Sequence, residues 1–234
     1  MNSDLEFETF FYVSNEKLLL SVFKKGLDKD IYKDEIYLND NSEIIESKIN
    51  QFLDKNIIKV EKEIKNFINQ INLIIKDDDI LPIQISIKKQ SSGKKITVNE
   101  LNYMCKDLSQ QIKENNNDKV ILHMNIKEFI VDGQVLTNLD KQFESDDLSL
   151  EASFYCYPKI KIKRFSDYLK RYQITINRTY SIDYLKKYFL NSELNECQMA
   201  LKIEDLGDIN EVKLVPKFQK NTGFFEKFFN LFNK

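Results

Sequence analysis

A long amphipathic helix pattern in the first third of the chain restricts the fold more than any other feature. Ser42 is a suitable N-cap with Glu46 close behind it, and the aspartates at 77–79 are suited to follow the helix. We therefore predict one helix from about Ser42 to Ile75. The apolar residues of this stretch recur every three or four positions, which places them on one helical face, and they are Ile45, Ile49, Phe52, Leu53, Ile57, Val60, Ile64, Phe67, Ile68, Ile71 and Ile75.

Three short strand patterns precede this helix. They are Phe7–Val13, Lys17–Phe23 and Ile31–Leu38, each rich in β-branched or aromatic residues, with turn residues at 14–16 and 26–28 between them. Short connections of this kind predict an antiparallel meander. A meander followed by a long helix indicates the α+β class.

The middle of the chain predicts a strand, a helix and two further strands. Residues 80–88 alternate in polarity and contain Pro82, which favours a strand at a sheet edge. Thr97 and Glu100 form a capping-box pattern that opens a helix to about Glu114. The strands Lys119–Val131 and Leu148–Tyr157 follow, joined by a polar loop.

The last third predicts shorter elements and a linker. Residues 163–190 indicate a helix, a short strand at Ile174–Ile176 and another helix, and Ala200–Ile203 indicates one more short strand. Pro216 and Gly223 flank a basic stretch that has the composition of a flexible linker.

Composition indicates a globular protein rather than a disordered or strongly charged one. Of the 234 residues 42% are hydrophobic and 31% charged, and the net charge is −2. A charge this small gives no overall field that would attract nucleic acid. We expect no secretory signal and no membrane span, because no long apolar run is present. Three widely spaced cysteines fit a reducing cytoplasm.

The usual catalytic and cofactor motifs are absent from the sequence. The five glycines stand alone, so no glycine-rich phosphate loop can be drawn. His123 is the only histidine, and no cysteine lies at zinc-ligand spacing from it. Within its apolar run, His123 is best interpreted as a strand histidine with satisfied hydrogen bonds. We therefore expect no enzyme, no cofactor and no metal site, although a carboxylate pair or a Cys–His pair in space stays open.

A basic and aromatic cluster lies between residues 159 and 172. It allows binding of single-stranded nucleic acid, by neutralising phosphates and stacking bases. We favour a simpler interpretation, a helix with a solvated basic face, and contact of this face with an anionic membrane is a third one. The cluster comprises Lys159, Lys161, Lys163, Arg164, Lys170 and Arg171, with Phe165, Tyr168 and Tyr172 among them.

The C-terminal residues have the pattern of a helix that lies in a membrane interface. On a helical projection the apolar side chains of 224–234 fall within an arc of about 160°, and the polar ones occupy the other side. Residues 213–234 carry five lysines and one glutamate, so their net charge is +4. The alternative is that this helix docks on the body of the protein. The predicted membrane-binding residues are Phe224, Phe225, Phe228, Phe229, Leu231 and Phe232, which would insert, and Lys227 and Lys234, which would meet lipid phosphates.

The order of these segments resembles FtsA, the actin-like protein that tethers the bacterial division ring to the membrane. The segment 119–134, which contains His123 and an apolar residue followed by Asp132, is similar to a strand of the inserted strand-helix-strand-strand domain of that family. The tail behind a linker is similar to the family's membrane-targeting sequence. Further similar segments are Thr97–Gln111 and Leu148–Cys156 in the insert, and Tyr168–Ile176 and Tyr180–Phe189 after it.

Two departures from the family change what the resemblance implies. Where the first phosphate loop of the family has Asp, an apolar residue, Gly and Thr or Ser, this chain has Tyr12-Val13-Ser14-Asn15. The chain is also shorter than an FtsA by about the second half of the actin-like fold, where the family binds the ring polymer. We therefore expect neither ATP binding nor direct contact with that polymer.

The resemblance implies an α+β fold with partial actin-like strands, an inserted strand-helix-strand-strand domain and a C-terminal amphipathic helix. The expected division is 1–78 for the first strands and long helix, 79–160 for the insert, 161–212 for a helix-strand-helix return segment, 213–222 for the linker and 223–234 for the membrane helix. The expected function is a peripheral membrane adaptor in cell division. It would link division proteins to the cytoplasmic face of the bacterial inner membrane at the division site, self-associating there, without nucleotide and without nucleic acid.

Overall fold

A computed structural model describes residues 7–38, 45–91, 95–137, 144–203, 206 and 212. The predicted linker 213–222 and membrane helix 223–234 lie outside the described residues. The elements in chain order are β1 (Phe7–Val13), β2 (Lys17–Lys24), β3 (Asp30–Tyr37), α1 (Ile45–Ile64), β4 (Gln70–Ile75), β5 (Leu81–Gln90), α2 (Val98–Asn115), β6 (Lys119–Val131), β7 (Gln134–Leu136), β8 (Asp147–Pro158), α3 (Lys159–Lys170), β9 (Thr175–Ser181), α4 (Ile182–Tyr188) and α5 (Glu196–Ile203).

The first sheet is mixed and has five strands in the order β3-β2-β1-β4-β9. The three predicted meander strands are confirmed, and β1 and β2 pair antiparallel with Val13 opposite Leu18. β4 lies parallel to β1 and β9 lies parallel to β4. Both faces of β1 are covered, because the consecutive residues Phe10 and Phe11 point to opposite faces of the sheet and each is 1% exposed.

Helix α1 covers one face of this sheet, as its apolar spacing predicts. Ile49, Leu53, Ile57 and Val60 are buried at intervals of three or four residues, and Phe52 is buried beside them. The Phe52 ring stacks on Phe11 of β1 with 6.0 Å between ring centroids. Burial of each such side chain contributes about 1.5–3 kcal/mol to folding.

The predicted continuation of this helix to Ile75 is wrong. The helix ends at Ile64, Lys65 adopts a left-handed φ of 53°, and residues 70–75 form β4 instead. Ile71, Leu73 and Ile75 are almost fully buried within the sheet. A continuous apolar run suits a strand buried on both faces, and isoleucines at 68, 71 and 75 fit the helical spacing by coincidence.

The second sheet is antiparallel and has four strands in the order β5-β8-β6-β7. β5, with Pro82, lies at its edge as expected. Helix α2 packs on one face, where Met104, Leu108 and Phe154 share an apolar cluster. The Thr97 backbone N–H donates to the Glu100 carboxylate at 3.2 Å, which supports the predicted start of α2.

A β-hairpin that the sequence analysis missed joins β6 and β7. Asp132 and Gly133 both have positive φ, of 48° and 83°. This pair of backbone conformations matches the two-residue turn that Asp-Gly sequences favour. The turn is also bound to the start of β8, because the Asp132 carboxylate accepts hydrogen bonds from the backbone N–H groups of Asp146 and Asp147.

The return segment differs from expectation at its end. Residues 196–203 form helix α5 rather than a short strand at 200–203. Asn195 and Gln198 cap each other, since each side-chain oxygen accepts the other residue's backbone N–H at 3.0 Å. Cys197, Ala200 and Ile203 then bury one face of the helix in the core of the first sheet.

The α+β class predicted from the sequence is confirmed, with one mixed and one antiparallel sheet. The chain leaves the first sheet after β4, forms the second sheet with residues 81–158, and returns through α3 to β9. The expected order of strand, helix and strands in the insert is present. The division of the chain into separate domains stays a prediction.

Candidate functional site at the carboxyl ends of β1 and β4

A cleft of about 470 Å³ opens where β1 and β4 end. Val13 and Ile75, the last residues of these parallel strands, are directly paired. Ligands of α/β sheets commonly bind outside the carboxyl ends of parallel strands, so this cleft is the first candidate for a functional site. It is lined by Val13, Ser14, Asn15, Glu16, Ile49, Ile75, Lys76, Asp77, Asp78 and Phe165.

The turn after β1 is closed by its own serine. The Ser14 hydroxyl oxygen accepts the backbone N–H groups of Glu16 at 3.2 Å and Lys17 at 2.9 Å. The hydroxyl and the backbone N–H of Ser14 both donate to the Lys17 carbonyl. A phosphate cradle needs consecutive backbone N–H groups that point at the anion. In this turn, two of those groups already bind the Ser14 side chain.

Tyr12 stands at the position where the FtsA resemblance expects an aspartate. The side chain is buried, and burial raises the pKa of its hydroxyl. The Lys17 ammonium lies 5.5 Å from the Tyr12 ring centroid and forms an ion pair of 2.8 Å with Glu196 of α5. Tyr12 therefore supplies no carboxylate for magnesium at this strand end.

An ion pair crosses the mouth of the cleft. The Lys76 ammonium lies 2.9 Å from the Glu16 carboxylate, and the Lys76 backbone N–H donates to the Val13 carbonyl at 3.0 Å. The hydrogen bond to Glu16 raises the pKa of Lys76 above its ordinary value. Lys76, the lysine that a bound phosphate would need, is thus already paired with Glu16, and the Glu16 carboxylate adds negative charge to the cleft.

Asp77 is the centre of the polar network on the other side of the cleft. Its carboxylate accepts the Tyr157 hydroxyl at 2.7 Å and the Lys161 ammonium at 2.7 and 2.9 Å. Lys161 also pairs with Asp79 at 2.7 Å. Asp77 lies in the connection that leaves the first sheet after β4, and Tyr157 lies near the end of β8, where the chain returns from the second sheet. The network therefore links the two connections between the sheets.

The network keeps Asp77 ionised. Burial by itself opposes ionisation, but hydrogen bonds from Lys161, the Asp79 backbone and Tyr157 outweigh it and hold the pKa of the Asp77 carboxyl below its usual value. The pKa of Tyr157 is raised by burial and by its bond to Asp77. For Lys161, burial acts against the charged form, yet the two aspartates raise its pKa. The arrangement stabilises a fixed cation–anion junction.

His123 has the structural role that its sequence context indicates. It is 1% exposed, and its Nε2 atom accepts the backbone N–H of Ser181 at 3.0 Å. Its ring stacks on Tyr184 with 3.8 Å between centroids. His123 lies on β6 and Ser181 ends β9, so this hydrogen bond joins the second sheet to the first. The sequence indicated a satisfied strand histidine but did not predict this partner.

The three cysteines are buried free thiols. Burial raises the pKa of Cys105 and of Cys156 to about 11 and that of Cys197 to about 12. A thiol with such a pKa is protonated at neutral pH and is a poor nucleophile. Within the described parts of the chain, no group of three or more His, Cys, Asp or Glu side chains is arranged to hold a metal ion.

Three of the six basic residues in the cluster at 159–172 are paired with acidic neighbours. Arg171 forms an ion pair of 2.8 Å with Asp54 of α1, and Lys161 is bound to Asp77 and Asp79. The Arg164 guanidinium lies 3.7 Å from Glu46. A nucleic-acid backbone would compete with these carboxylates, so this geometry gives the nucleic-acid alternative little support.

The predicted membrane-binding residues, Phe224 to Lys234, lie outside the described residues and stay a prediction. No helix among the described residues is both long and apolar enough to cross a membrane.

Comparison with known proteins identifies the fold. No protein-family model matches the chain, and no curated protein matches its sequence. Among solved structures it is similar to a PilM–PilN type IV pilus biogenesis complex, with a TM-score of 0.50 and 9% identity over 78% of this chain and 49% of that chain. The chain thus spans about half the length of that relative.

Two further structures match less closely. One is the cytoplasmic domain of EpsL, an inner membrane component of the type II secretion system of Vibrio cholerae, with a TM-score of 0.36 and 10% identity over 76% of this chain and 57% of that chain. The other is a Bacteroides thetaiotaomicron protein with an actin-like ATPase fold and unknown function, with a TM-score of 0.36 and 10% identity over 81% of this chain and 58% of that chain.

These similarities concern the fold and not the activity. The α+β fold expected from the sequence is confirmed, and 78% of the chain is similar in fold to the PilM–PilN structure. The narrower resemblance to FtsA and the role in cell division stay predictions, because the matching structures belong to other systems. In this chain the cleft at the carboxyl ends of β1 and β4 is lined by polar groups that already bind one another.

Proposed function

We propose that this protein is a peripheral membrane adaptor that works without nucleotide. Its actin-like part would bind partner proteins, and its C-terminal amphipathic segment would bind the anionic cytoplasmic face of a bacterial inner membrane. The observation that carries the nucleotide-free part is the closed turn at Ser14, where the backbone N–H groups of Glu16 and Lys17 bind the serine hydroxyl.

The electrostatics of the cleft support the same proposal. Glu16, Asp77 and Asp78 bring three carboxylates to it, and among the lining residues that the structure describes Lys76 is the one ammonium. A nucleoside triphosphate would have to displace Glu16 from Lys76 and approach these carboxylates. We therefore expect no measurable binding of magnesium–ATP to the full chain by calorimetry, and binding at micromolar affinity would contradict this part of the proposal.

The membrane part rests on the sequence of the tail. Each inserted phenylalanine contributes about 1 kcal/mol if half of its burial energy is realised, and each lysine near an anionic surface adds about 1 kcal/mol. The sum favours reversible membrane binding, which becomes stronger if several copies associate.

The decisive experiment is flotation of the full chain with vesicles that contain anionic lipid. The wild type should float, and the double variant Phe225→Asp plus Phe229→Asp should stay in the soluble fraction. Phe67→Asp is a matched control, because Phe67 is a phenylalanine of the body that is 75% exposed. Flotation of the double variant as efficient as that of the control would refute the membrane role of the tail.

The finer proposal is a role in cell division. It is supported by the sequence resemblance to FtsA. The fold similarity to the PilM–PilN type IV pilus biogenesis complex favours a different assembly as the alternative. Imaging a fluorescent protein fused to the N-terminus in dividing cells distinguishes the division role from a role in another assembly. A band at midcell would support the division role, and a membrane signal without such a band would exclude it while retaining the adaptor.

A further inference from the structure

One edge of the second sheet is only partly covered. β6 pairs with β8 along nearly its whole length, from Lys119 to Val131. On its other side β7 pairs only with Phe129–Val131. In the part of the chain that the structure describes, no further strand pairs with the remaining edge.

Val212 is bound to that edge. Its backbone N–H donates to the Met124 carbonyl at 2.9 Å, within the stretch that β7 leaves uncovered. The Val212 side chain is half-buried and packs against the apolar cluster between α2 and the second sheet. Met124 itself is 1% exposed and accepts a contact of 3.3 Å from the Ser109 hydroxyl of α2. Val212 thus combines a ladder-type hydrogen bond with apolar burial.

The position of Val212 along the chain gives this contact its meaning. Helix α5 ends at Ile203 in the core of the first sheet. Nine residues later the chain is attached to the second sheet, and the basic and amphipathic segment 213–234 follows immediately. Val212 is therefore the last described point before the tail.

We propose that the edge of β6 beyond its pairing with β7 is a docking site for this chain's own Val212. Because Val212 is bound to β6, a force or an orientation imposed on the chain after residue 212 would act on the second sheet first. This inference extends the proposed adaptor, but only its membrane consequence rests on that function. An extended segment from a second copy or from a partner would have to displace Val212 to pair at Met124.

Amide exchange of the full chain, followed by NMR without lipid, tests the docking directly. The Val212 amide should exchange at least about tenfold more slowly than in an unstructured peptide of the same sequence, as one hydrogen bond with partial burial implies. Val212→Asp should abolish this protection, because a carboxylate cannot pack on the apolar cluster. Val212→Ile, which keeps an apolar β-branched side chain, should retain it.

Three results would overturn the proposal. They are peptide-like exchange of the wild-type amide, equal protection in Val212→Asp and Val212→Ile, and protection that rises with protein concentration, which would assign the segment to a second copy. If Val212→Asp also unprotects β8, the smaller change Val212→Thr must weaken protection at residue 212 alone. Vesicle flotation is measured separately. A wild type that fails to float but keeps its protected Val212 amide would refute the membrane function and leave the docking proposal standing.

Discussion

Replacement of Asp77 by asparagine should destabilise the protein by disconnecting the two passages of the chain between the sheets. The Asp77 carboxylate binds the Tyr157 hydroxyl at 2.7 Å, the Lys161 ammonium at 2.7 Å and the Asp79 backbone N–H at 2.9 Å. Asparagine keeps one acceptor oxygen and loses the charge. A hydrogen bond to a charged group contributes about 1.5–3 kcal/mol. Because Lys161 still has Asp79 as a partner, we expect a loss of about 2 kcal/mol in the free energy of unfolding at pH 7.

The loss should depend on pH with a definite sign. The pKa of Asp77 in the folded protein is below its ordinary value of 3.8. Its contribution is therefore complete above the unfolded pKa and declines as the pH falls through the folded one. The difference between wild type and Asp77→Asn should be full at pH 7 and should shrink below about pH 4.

Urea unfolding followed by circular dichroism measures these differences. Asp78→Asn is a matched control, since Asp78 is an exposed neighbour in the same cleft, and its effect should stay within about 0.5 kcal/mol. A cycle with Tyr157→Phe isolates the Tyr157–Asp77 hydrogen bond. The reasoning is refuted if Asp77→Asn matches Asp78→Asn at pH 7, or if its effect is as large at about pH 3 as at pH 7.

Three further predictions concern the interior. His123→Phe should keep the ring stacking but leave the buried Ser181 N–H without its acceptor, and it should lower the free energy of unfolding by about 1–3 kcal/mol. An unchanged midpoint in chemical denaturation would contradict the bridging role. Leu53→Ala should cost about 2–5 kcal/mol because Leu53 is fully buried in the first core, and a loss near zero would contradict the packing of α1. A thiol reagent at neutral pH should label none of Cys105, Cys156 and Cys197 in the folded protein and all three in denaturant, whereas rapid labelling of the native chain would reveal an accessible thiol.

Local patterns predicted most elements because each of them has an unambiguous period. The strand β1 and the capping box of α2 depend on residues within a few positions of each other. The prediction of helix for residues 65–75 failed because the isoleucines there satisfy the helical spacing. The strand forms because β4 pairs with β1 on one edge and with β9 on the other, and both partners are distant in sequence. The reciprocal Asn195–Gln198 cap was a readable signal for α5, since it has the same spacing as Thr97–Glu100.

The candidate site was predicted only in part. The departure from a phosphate loop at Tyr12-Val13-Ser14-Asn15 can be read from the sequence, and a serine in a turn suggests local hydrogen bonds to nearby backbone groups. The bond between Asp77 and Tyr157 joins residues 80 positions apart. Such a pairing follows from the way in which the second sheet is inserted, and no local pattern specifies it.

The polar residues that line the cleft bind one another, and one of them, Asp77, also joins the two sheets. In a phosphate-binding cleft, the loops after β1 and β4 must leave N–H groups and cations unpaired for the ligand, which weakens their own contacts. Here Ser14 binds the first of these loops internally, Glu16 binds Lys76 of the second, and Asp77 binds Lys161 on the returning connection. These bonds order the junction without any ligand. An adaptor whose shape must persist in the absence of nucleotide requires this arrangement, whereas a nucleotide-driven switch would lose its means of sensing the ligand.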